Sequence, residues 1–257
     1  MQSESAFKGT VLQMNYLGDH AILLSILEPP SKESILYIKK ITAACHELKS
    51  VHSWIKDIIP AYQTITLVYD IEIFYRSEKI DPLSFVQNKL PPIIAATNLK
   101  LDVAVNKIIK VPVCYELEYG IDLEAIAQLK NLSIESIVEI HTQEVYNVFC
   151  LGFMPGFAYM GNVNDQIQVP RQATPRQNVM AGSVGIAGSQ TGIYPKNSPG
   201  GWQIIGRTPL QIFDHNPSKL ALFKVGDQVQ FYSIDKALFE KMESKNIYDY
   251  SIFIKIK

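Results

Sequence analysis

Three of the chain's four arginines lie in one stretch, residues 152–208, together with ten of its fourteen glycines and five of its fourteen prolines. These arginines are Arg171, Arg176 and Arg207. Arginine presents a planar fork of five donors, which suits a fixed carboxylate, phosphate or carbonyl better than a lysine ammonium does. Glycine lets the backbone approach a ligand closely, and proline stiffens the loops between glycines. The stretch therefore predicts a binding site.

The composition of this stretch favours holding a substrate over moving its protons. It contains no histidine, no cysteine and one acidic residue, Asp165. It therefore offers no His/Cys metal site, and no nucleophile–His or carboxylate pair of its own. The nearest candidate acid or base is His141 or Glu144, which precede it, although a helix-end histidine is more often held by its neighbours. Asp214 with His215 is a weaker pair.

Polar and aromatic side chains complete the predicted pocket around the arginines. They are Ser183, Gln190, Thr191, Ser198, Tyr159, Tyr194 and Trp202.

Length and composition indicate a folded, soluble chain. At 257 residues, 47% hydrophobic and 19% charged, it has room for two modest domains or one large β domain. Its net charge of −1 argues against nucleic acid or an anionic membrane as the main partner. We see neither a signal peptide nor an apolar run of membrane-spanning length, so we expect a cytoplasmic protein. Three widely spaced cysteines are expected to be reduced and buried.

The first hundred residues, 1–100, predict an α+β domain. A strand pair is expected over 11–27, with Gly18 and Asp19 at its turn. Helical spacing of apolar residues predicts a helix over 34–48, and strands follow near 51–59 and 65–69. Asp81 and Pro82 are a typical helix start. A further strand over 101–113 would complete a ferredoxin-like order, and Asp19 beside His20 is most simply a turn residue.

Residues 101–257 predict a β-barrel domain. Asp122 and Ser133 are expected to cap two helices, and 145–151 is an apolar strand leading into the Gly/Pro stretch. Further elements are predicted over 210–213, 225–232 and 250–257, with a helix over 235–243. Short strands joined by long Gly/Pro loops are typical of a barrel.

Four motifs in the Gly/Pro stretch closely resemble one family: LGFMPGFAYMG (151–161), VPRQATPR (169–176), AGSVGIAGSQTGIYP (181–195) and SPGGWQIIGRTP (198–209). LGDHAIL (17–23), PVCYELEYGIDLEAIA (112–127), IVEIHTQEVYNV (137–148) and VGDQVQF (225–231) also resemble it, in the same order. The family is the B subunit of the bacterial ATP-dependent 5-oxoprolinase, also named allophanate hydrolase subunit 1. It is similar to a sporulation histidine-kinase inhibitor.

The resemblance implies an α+β fold with a ferredoxin-like first domain and a cyclophilin-like β-barrel second domain. It implies two 5-oxoprolinase partners, a C subunit with a similar barrel and a larger A subunit, and ATP as a cofactor of the complex. Together these subunits hydrolyse 5-oxoproline to glutamate. The B and C pair is similar to the carboxyltransferase region of urea carboxylase, whose ligand lies between two barrels. Met180 and Gln172 depart from the family pattern, where proline and a second arginine are expected.

The implied substrate, 5-oxoproline, needs a cation for its carboxylate and hydrogen-bond donors for its lactam oxygen. Arg176 or Arg207 is predicted to bind the carboxylate, although either could instead tie backbone carbonyls together. Backbone N–H groups of 182–188 or 200–201, with Gln190 and Thr191, are predicted to face the oxygen. Aromatic side chains could wall the ring or close the barrel end. The substrate-binding candidates are Phe157, Tyr159, Arg171, Arg176, Gly182, Ser183, Gln190, Thr191, Tyr194, Gly200, Gly201, Trp202 and Arg207.

The glycines match neither a P-loop nor a dinucleotide-binding turn, so ATP is expected on a partner or at a shared interface. Two alternatives stay open. One is a binding protein that inhibits a histidine kinase by docking a helix, which would need an exposed apolar groove. The other is a component of a related urea- or allophanate-type hydrolase or carboxylase.

Overall fold

The computed structural model describes residues 3–7, 10–28, 31–97, 108–214, 221–244 and 254–255. The chain separates into two compact units, Met1–Asp102 and Val103–Lys257. The first unit contains β1 (Ser3–Phe7), β2 (Thr10–Tyr16), β3 (Ala21–Ile26), α1 (Lys32–Val51), β4 (Ile55–Ala61), β5 (Thr64–Tyr69), α2 (Ile71–Ser77) and α3 (Pro82–Ala96).

The first unit contains an antiparallel five-stranded sheet with the strand order β1-β2-β3-β5-β4, and helices pack against this sheet. The predicted helix is α1, and its residues Ile38, Ile41 and Leu48 are buried as the spacing requires. A capping box between Ser31 and Ser34 starts α1 earlier than expected. Because α1 continues to residue 51, the strand predicted over 51–59 begins only at residue 55.

The Asp81 cap is confirmed. Its carboxylate accepts a hydrogen bond from the Ser84 backbone N–H at 2.9 Å, and Pro82 is the first helical residue of α3. The sequence patterns did not predict α2, a seven-residue helix capped in the same way by Asp70. The last strand predicted for the first domain, 101–113, was placed wrongly, because residues 108–114 belong to the second unit's sheet. Residues 101–107 lie outside the described part.

The second unit begins with β6 (Ile108–Cys114), α4 (Leu123–Lys130), α5 (Ile134–Gln143), β7 (Tyr146–Leu151) and β8 (Ala158–Gly161). It continues with β9 (Arg176–Val179), β10 (Ser183–Ala187), β11 (Gln190–Ile193), β12 (Ser198–Gly200), β13 (Gln203–Arg207), β14 (Gln228–Ile234), α6 (Lys236–Glu243) and β15 (Ile254–Lys255). The Ser133 and Asp235 side chains cap α5 and α6.

Strands of the second unit close into a barrel in the order β13-β10-β11-β8-β7-β14-β6, because β13 also pairs with β6 through Arg207 and Cys114. β6 and β14 run parallel, and β15 extends the sheet beside β6. β9 and β12 form a separate two-stranded sheet. The segment expected over 210–213 makes only an isolated bridge, from Phe213 to Ala221. Of the strand expected over 250–257, the described part contains β15 alone.

The predicted fold class is confirmed: α+β, with a ferredoxin-like first domain and a cyclophilin-like β-barrel second domain. Inward-facing side chains such as Val148, Met160 and Ile186 fill the barrel. No helix within the described ranges combines the length and the apolar character needed to cross a membrane.

Candidate functional site

Aromatic side chains cover the outside of the barrel over β8, β10, β11 and β13. We call Phe157, Tyr159, Tyr194 and Trp202 the aromatic face. Gly185 and Gly192 are directly opposite each other in β10 and β11. A Cβ at Gly192 would lie 3.3 Å from both Phe157 and Trp202, and one at Gly185 would lie 3.1 Å from Trp202. The glycine pair thus lets these rings lie directly on the sheet.

The rings of the aromatic face pack chiefly on one another. The centroid of Phe157 lies 4.8 Å from that of Tyr159 and 5.4 Å from those of Tyr194 and Trp202. Because Phe157, Tyr194 and Trp202 are at most 5% exposed, the structure favours the interpretation that they close the barrel surface. Tyr159 is the half-buried member of the set.

Phe153 extends the aromatic face outward. It is 61% exposed, and its ring packs edge-on against Phe157 at 5.5 Å. Its φ of +69° lies in the left-handed region, which bulky residues rarely adopt. Strained, exposed aromatic residues of this kind are found at ligand and partner contacts.

Arg171 lies beside the aromatic face and is exposed. Within the described ranges it forms no ion pair or hydrogen bond. Burial raises the pKa of the Tyr159 and Tyr194 hydroxyls, and the nearby Arg171 charge partly opposes that rise. Among the described residues nothing pairs with the Arg171 donors, and this cation lies next to a half-buried ring.

Arg176 already has a carboxylate partner. Its guanidinium pairs with Asp122, which is 4% exposed. Asp122 also accepts from Gln172 Nε2 at 3.1 Å and from the Ile204 backbone N–H at 2.6 Å. Asp122 does stand before α4, but its side chain makes no capping bond, so the predicted cap was wrong. The carboxylate instead ties the Gln172–Arg176 segment to β13.

Arg207 is also engaged. Its Nε donates to the Ala181 carbonyl at 2.8 Å, its Nη2 lies 3.0 Å from Glu243, and its Cζ lies 5.5 Å from the centre of the Phe239 ring. Arg176, Arg207 and Ser183 line a cleft of about 220 Å³. Each guanidinium thus faces a carboxylate within the chain, and the role of Arg176 or Arg207 at a substrate carboxylate stays a prediction.

His141 lies inside the barrel and is not an available acid or base. It is 0% exposed, with Nδ1 2.8 Å from the Tyr115 hydroxyl and Nε2 3.1 Å from Thr191 Oγ1. Thr191 Oγ1 donates to the Gly185 carbonyl at 3.0 Å, so its proton is committed and it accepts from Nε2–H. Burial lowers the pKa of His141 to about 3. Neither side chain is exposed in this arrangement, and the substrate roles expected of His141 and Thr191 stay predictions.

The remaining candidates are dispersed. Gly182 donates its N–H to the Tyr194 carbonyl at 2.8 Å, so this group is not free for a substrate oxygen. A Cβ on Gly200 would collide with the Tyr194 ring, and the Gly201 carbonyl accepts from Gln172 N–H. Gln190 pairs with Gly161 at the other end of β11 from Tyr194.

Glu144 belongs to that same end of the barrel, because it lies two residues before the start of β7, where Asn147 pairs with Gly161. It is half-buried, and its carboxylate accepts from Asn164 Nδ2 at 3.5 Å. The described residues contain no group of three or more His, Cys, Asp or Glu placed to hold a metal ion.

Sequence reasoning missed the long-range partners of the arginines, Asp122 and Glu243, and the buried hydroxyl of Tyr115. No local signal marks them, since Asp122 looks like an N-cap and Glu243 like a solvated helix end. The burial of His141 did have a signal. It follows Ile137 by four residues, on the apolar face of α5.

Comparison with known proteins agrees with this architecture. The family model of the carboxyltransferase domain, subdomain C and D, matches residues 12–223. The 5-oxoprolinase B subunit of Bacillus subtilis is 38% identical over 228 residues, which is 87% of this chain and 93% of that protein.

Solved structures show the same fold. The crystal structure of TTHA0988 superposes with a TM-score of 0.68 at 29% identity, covering 84% of this chain and 40% of that one. The urea carboxylase of Kluyveromyces lactis superposes with a TM-score of 0.73 at 19% identity, covering 99% of this chain and 24% of that one. The chain thus spans less than half of either solved protein. It belongs to the carboxyltransferase family of subdomains C and D, in which its relatives are B subunits of 5-oxoprolinase.

Proposed function

We propose that the chain is the B subunit of an ATP-dependent 5-oxoprolinase, which opens 5-oxoproline to L-glutamate together with a C subunit and a larger A subunit. The observation that carries this proposal is the relative of that name, 38% identical across 93% of its own length. Similarity over nearly the whole of both chains argues for a shared role rather than a shared module.

Arg171 is the residue of this chain that we assign to the substrate carboxylate. The substrate is a small ring with one carboxylate and one lactam carbonyl, so its binding needs a cation with open donors beside an apolar wall. Asp122 and Glu243 already match the other two arginines of the stretch. Within the described ranges no carboxylate pairs with Arg171, and the half-buried Tyr159 ring lies within its electrostatic reach.

The acid and base of the reaction are expected from a partner subunit or from Glu144, the half-buried candidate of this chain. His141 is neutral and enclosed in the barrel, where it cannot exchange a proton with a substrate on the outer surface. A lactam is resonance-stabilised, and ATP would supply the driving force through phosphorylation at a partner or a shared surface. Donors to the lactam oxygen from Gly200, Gly201 or Gln190 stay predictions.

The test is hydrolysis of ATP that depends on 5-oxoproline, measured with this chain and both partners, the A and C subunits, and then with each chain left out. The proposal expects activity in the full mixture and its loss when this chain is omitted. Full activity without this chain would overturn it. A folded, assembled complex that is inactive on 5-oxoproline but acts on urea or another amide would instead indicate a component of a related urea- or allophanate-type hydrolase or carboxylase.

A further inference from the structure

The first unit has a concavity of about 300 Å³ that the proposed function does not use. It lies between the turn joining β2 to β3, helix α2 and the first residue of α3. Tyr16, Tyr69, Tyr75 and Asp19 line it, and Gly18, Ile71 and Pro82 complete its wall. We call it the tyrosine pocket. Aromatic side chains with a few polar groups are the usual lining of a small-molecule site.

Tyr16 and Tyr75 of the pocket are unusually open. They are 47% and 57% exposed, whereas the unit's core aromatics Trp54, Phe74 and Phe85 are at most 2% exposed. Both open rings therefore present surface that folding left uncovered.

The electrostatic character of the pocket is negative. Asp19 lines it, and the Tyr16 hydroxyl donates to the Asp81 carboxylate at its edge at 2.9 Å. Hydrogen bonds from Ser84 and Tyr16 lower the pKa of Asp81, so this carboxylate is ionised at neutral pH. No lysine, arginine or histidine is found among the lining residues that the structure describes.

Tyr69 shows that these groups converge. Burial, followed by the nearby Tyr16, Tyr75, Asp19 and Asp81, raises the pKa of the Tyr69 hydroxyl to about 12. Its phenol is therefore neutral, and the charges that face the pocket are carboxylates. An anion would meet repulsion there, whereas a cation would meet carboxylates and the negative faces of aromatic rings.

We propose that the tyrosine pocket binds an organic cation, an ammonium head carried either by a free small molecule or by a lysine side chain of a protein partner. Aromatic side chains combined with carboxylates are the usual chemistry for such heads, because the ring quadrupole and the carboxylate attract the same charge. The site is confined to the first unit and does not depend on the proposed function.

The test is a titration of the full-length ¹⁵N-labelled chain, following the backbone amides of Gly18 and Tyr75 by NMR. The probes are choline, its neutral carbon isostere 3,3-dimethyl-1-butanol, and Nα-acetyl-lysine amide. We expect saturable shifts with at least one cation and none with the isostere. Tighter binding of choline identifies a free ammonium compound as the source, and tighter binding of the lysine derivative identifies a side chain.

Matched variants separate the ring from the charge. Tyr75→Leu and Asp19→Asn should each weaken binding roughly two- to fivefold, the range for exposed cation–π and ion contacts. Tyr75→Phe keeps the ring and should bind as the native chain does, as should Glu47→Gln, which removes an exposed carboxylate outside the pocket. The proposal would be overturned if the isostere bound as well as choline or if neither cation bound. It would also be overturned if Tyr75→Leu and Asp19→Asn both left the affinity unchanged.

Discussion

The buried His141 predicts a specific loss of stability in mild acid. Its imidazole lies in a continuous hydrogen-bond chain, in which the Tyr115 hydroxyl donates to Nδ1 and Nε2–H donates to Thr191 Oγ1. Its ring also stacks on Phe231 with centroids 4.7 Å apart. Protonating Nδ1 would place a charge in the barrel interior and remove the acceptor that Tyr115 uses, so burial lowers the pKa of His141 to about 3.

The direction of the effect follows from proton binding. In the unfolded chain a histidine has a pKa of about 6.5, whereas the folded chain leaves His141 neutral down to about pH 3. Between these values the unfolded state binds more protons, so stability is highest above pH 6.5 and falls as the pH decreases. At about 1.4 kcal/mol per pH unit, His141 contributes a loss of about 2 kcal/mol between pH 7.5 and pH 5.

Urea unfolding at these two pH values measures this loss. The chain has two tryptophans, one in each unit, so Trp54→Phe leaves Trp202 to report on the second unit alone. In that background, His141→Phe should be less stable at pH 7.5 by about 1–3 kcal/mol, because it leaves the buried Tyr115 hydroxyl without its acceptor. Its stability should also change less with pH, by about 2 kcal/mol.

His46→Gln is the control. Because His46 is exposed on α1, this substitution should leave the stability of the second unit unchanged. Equal pH dependence in the native background and in His141→Phe would show that His141 does not cause the loss, as would an NMR titration in which its ring protonates near pH 6.5.

Two further predictions concern the segment over β13 and the aromatic face. Asp122→Asn removes the carboxylate that Arg176 faces and should lower the free energy of unfolding of the second unit by about 2–4 kcal/mol, measured by urea unfolding; an unchanged midpoint would contradict the role of Asp122 as the anchor of this segment. Gly192→Ala places a methyl 2.8 Å from a backbone carbonyl and 3.3 Å from Trp202, and should cost about 1–3 kcal/mol and shift Trp202 fluorescence. Gly152→Ala is its control, because a Cβ there meets nothing within 4 Å. Equal effects of the two substitutions would show that the close packing around Gly192 does not cause the loss.

Local signals predicted the parts of the fold that depend on near neighbours. The helix start at Asp81 and the cap at Ser133 each require a side chain and an N–H three residues apart, so the order of residues is sufficient to identify them. The same rule failed at Asp122. Its carboxylate is used by Arg176 and Ile204, more than fifty positions away, and no local pattern distinguishes that use from a cap.

The sequence marks a candidate site, but it does not show which of the candidate side chains face the same surface. Glycine, proline and arginine content marked the stretch 152–208, yet alternate residues of a strand face opposite sides of a barrel. Thr191 therefore faces inward, against His141, while Gly192 underlies the aromatic face. Which arginines have partners depends on Asp122 and Glu243, which lie outside the stretch. Charge pairing across the fold is the information that composition lacks.

We propose that Arg171 of this chain supplies the cation that binds the substrate carboxylate in a 5-oxoprolinase. The most direct measurement is the rate of ATP hydrolysis against 5-oxoproline concentration in the complete mixture, with Arg171→Ala and with Arg76→Ala, an exposed arginine of α2, as the matched control. We expect Arg171→Ala to raise the KM for 5-oxoproline about ten- to hundredfold, the range for losing a charged hydrogen-bond partner, with the KM for ATP unchanged. An unaltered KM for 5-oxoproline in a folded, assembled complex would contradict the claim.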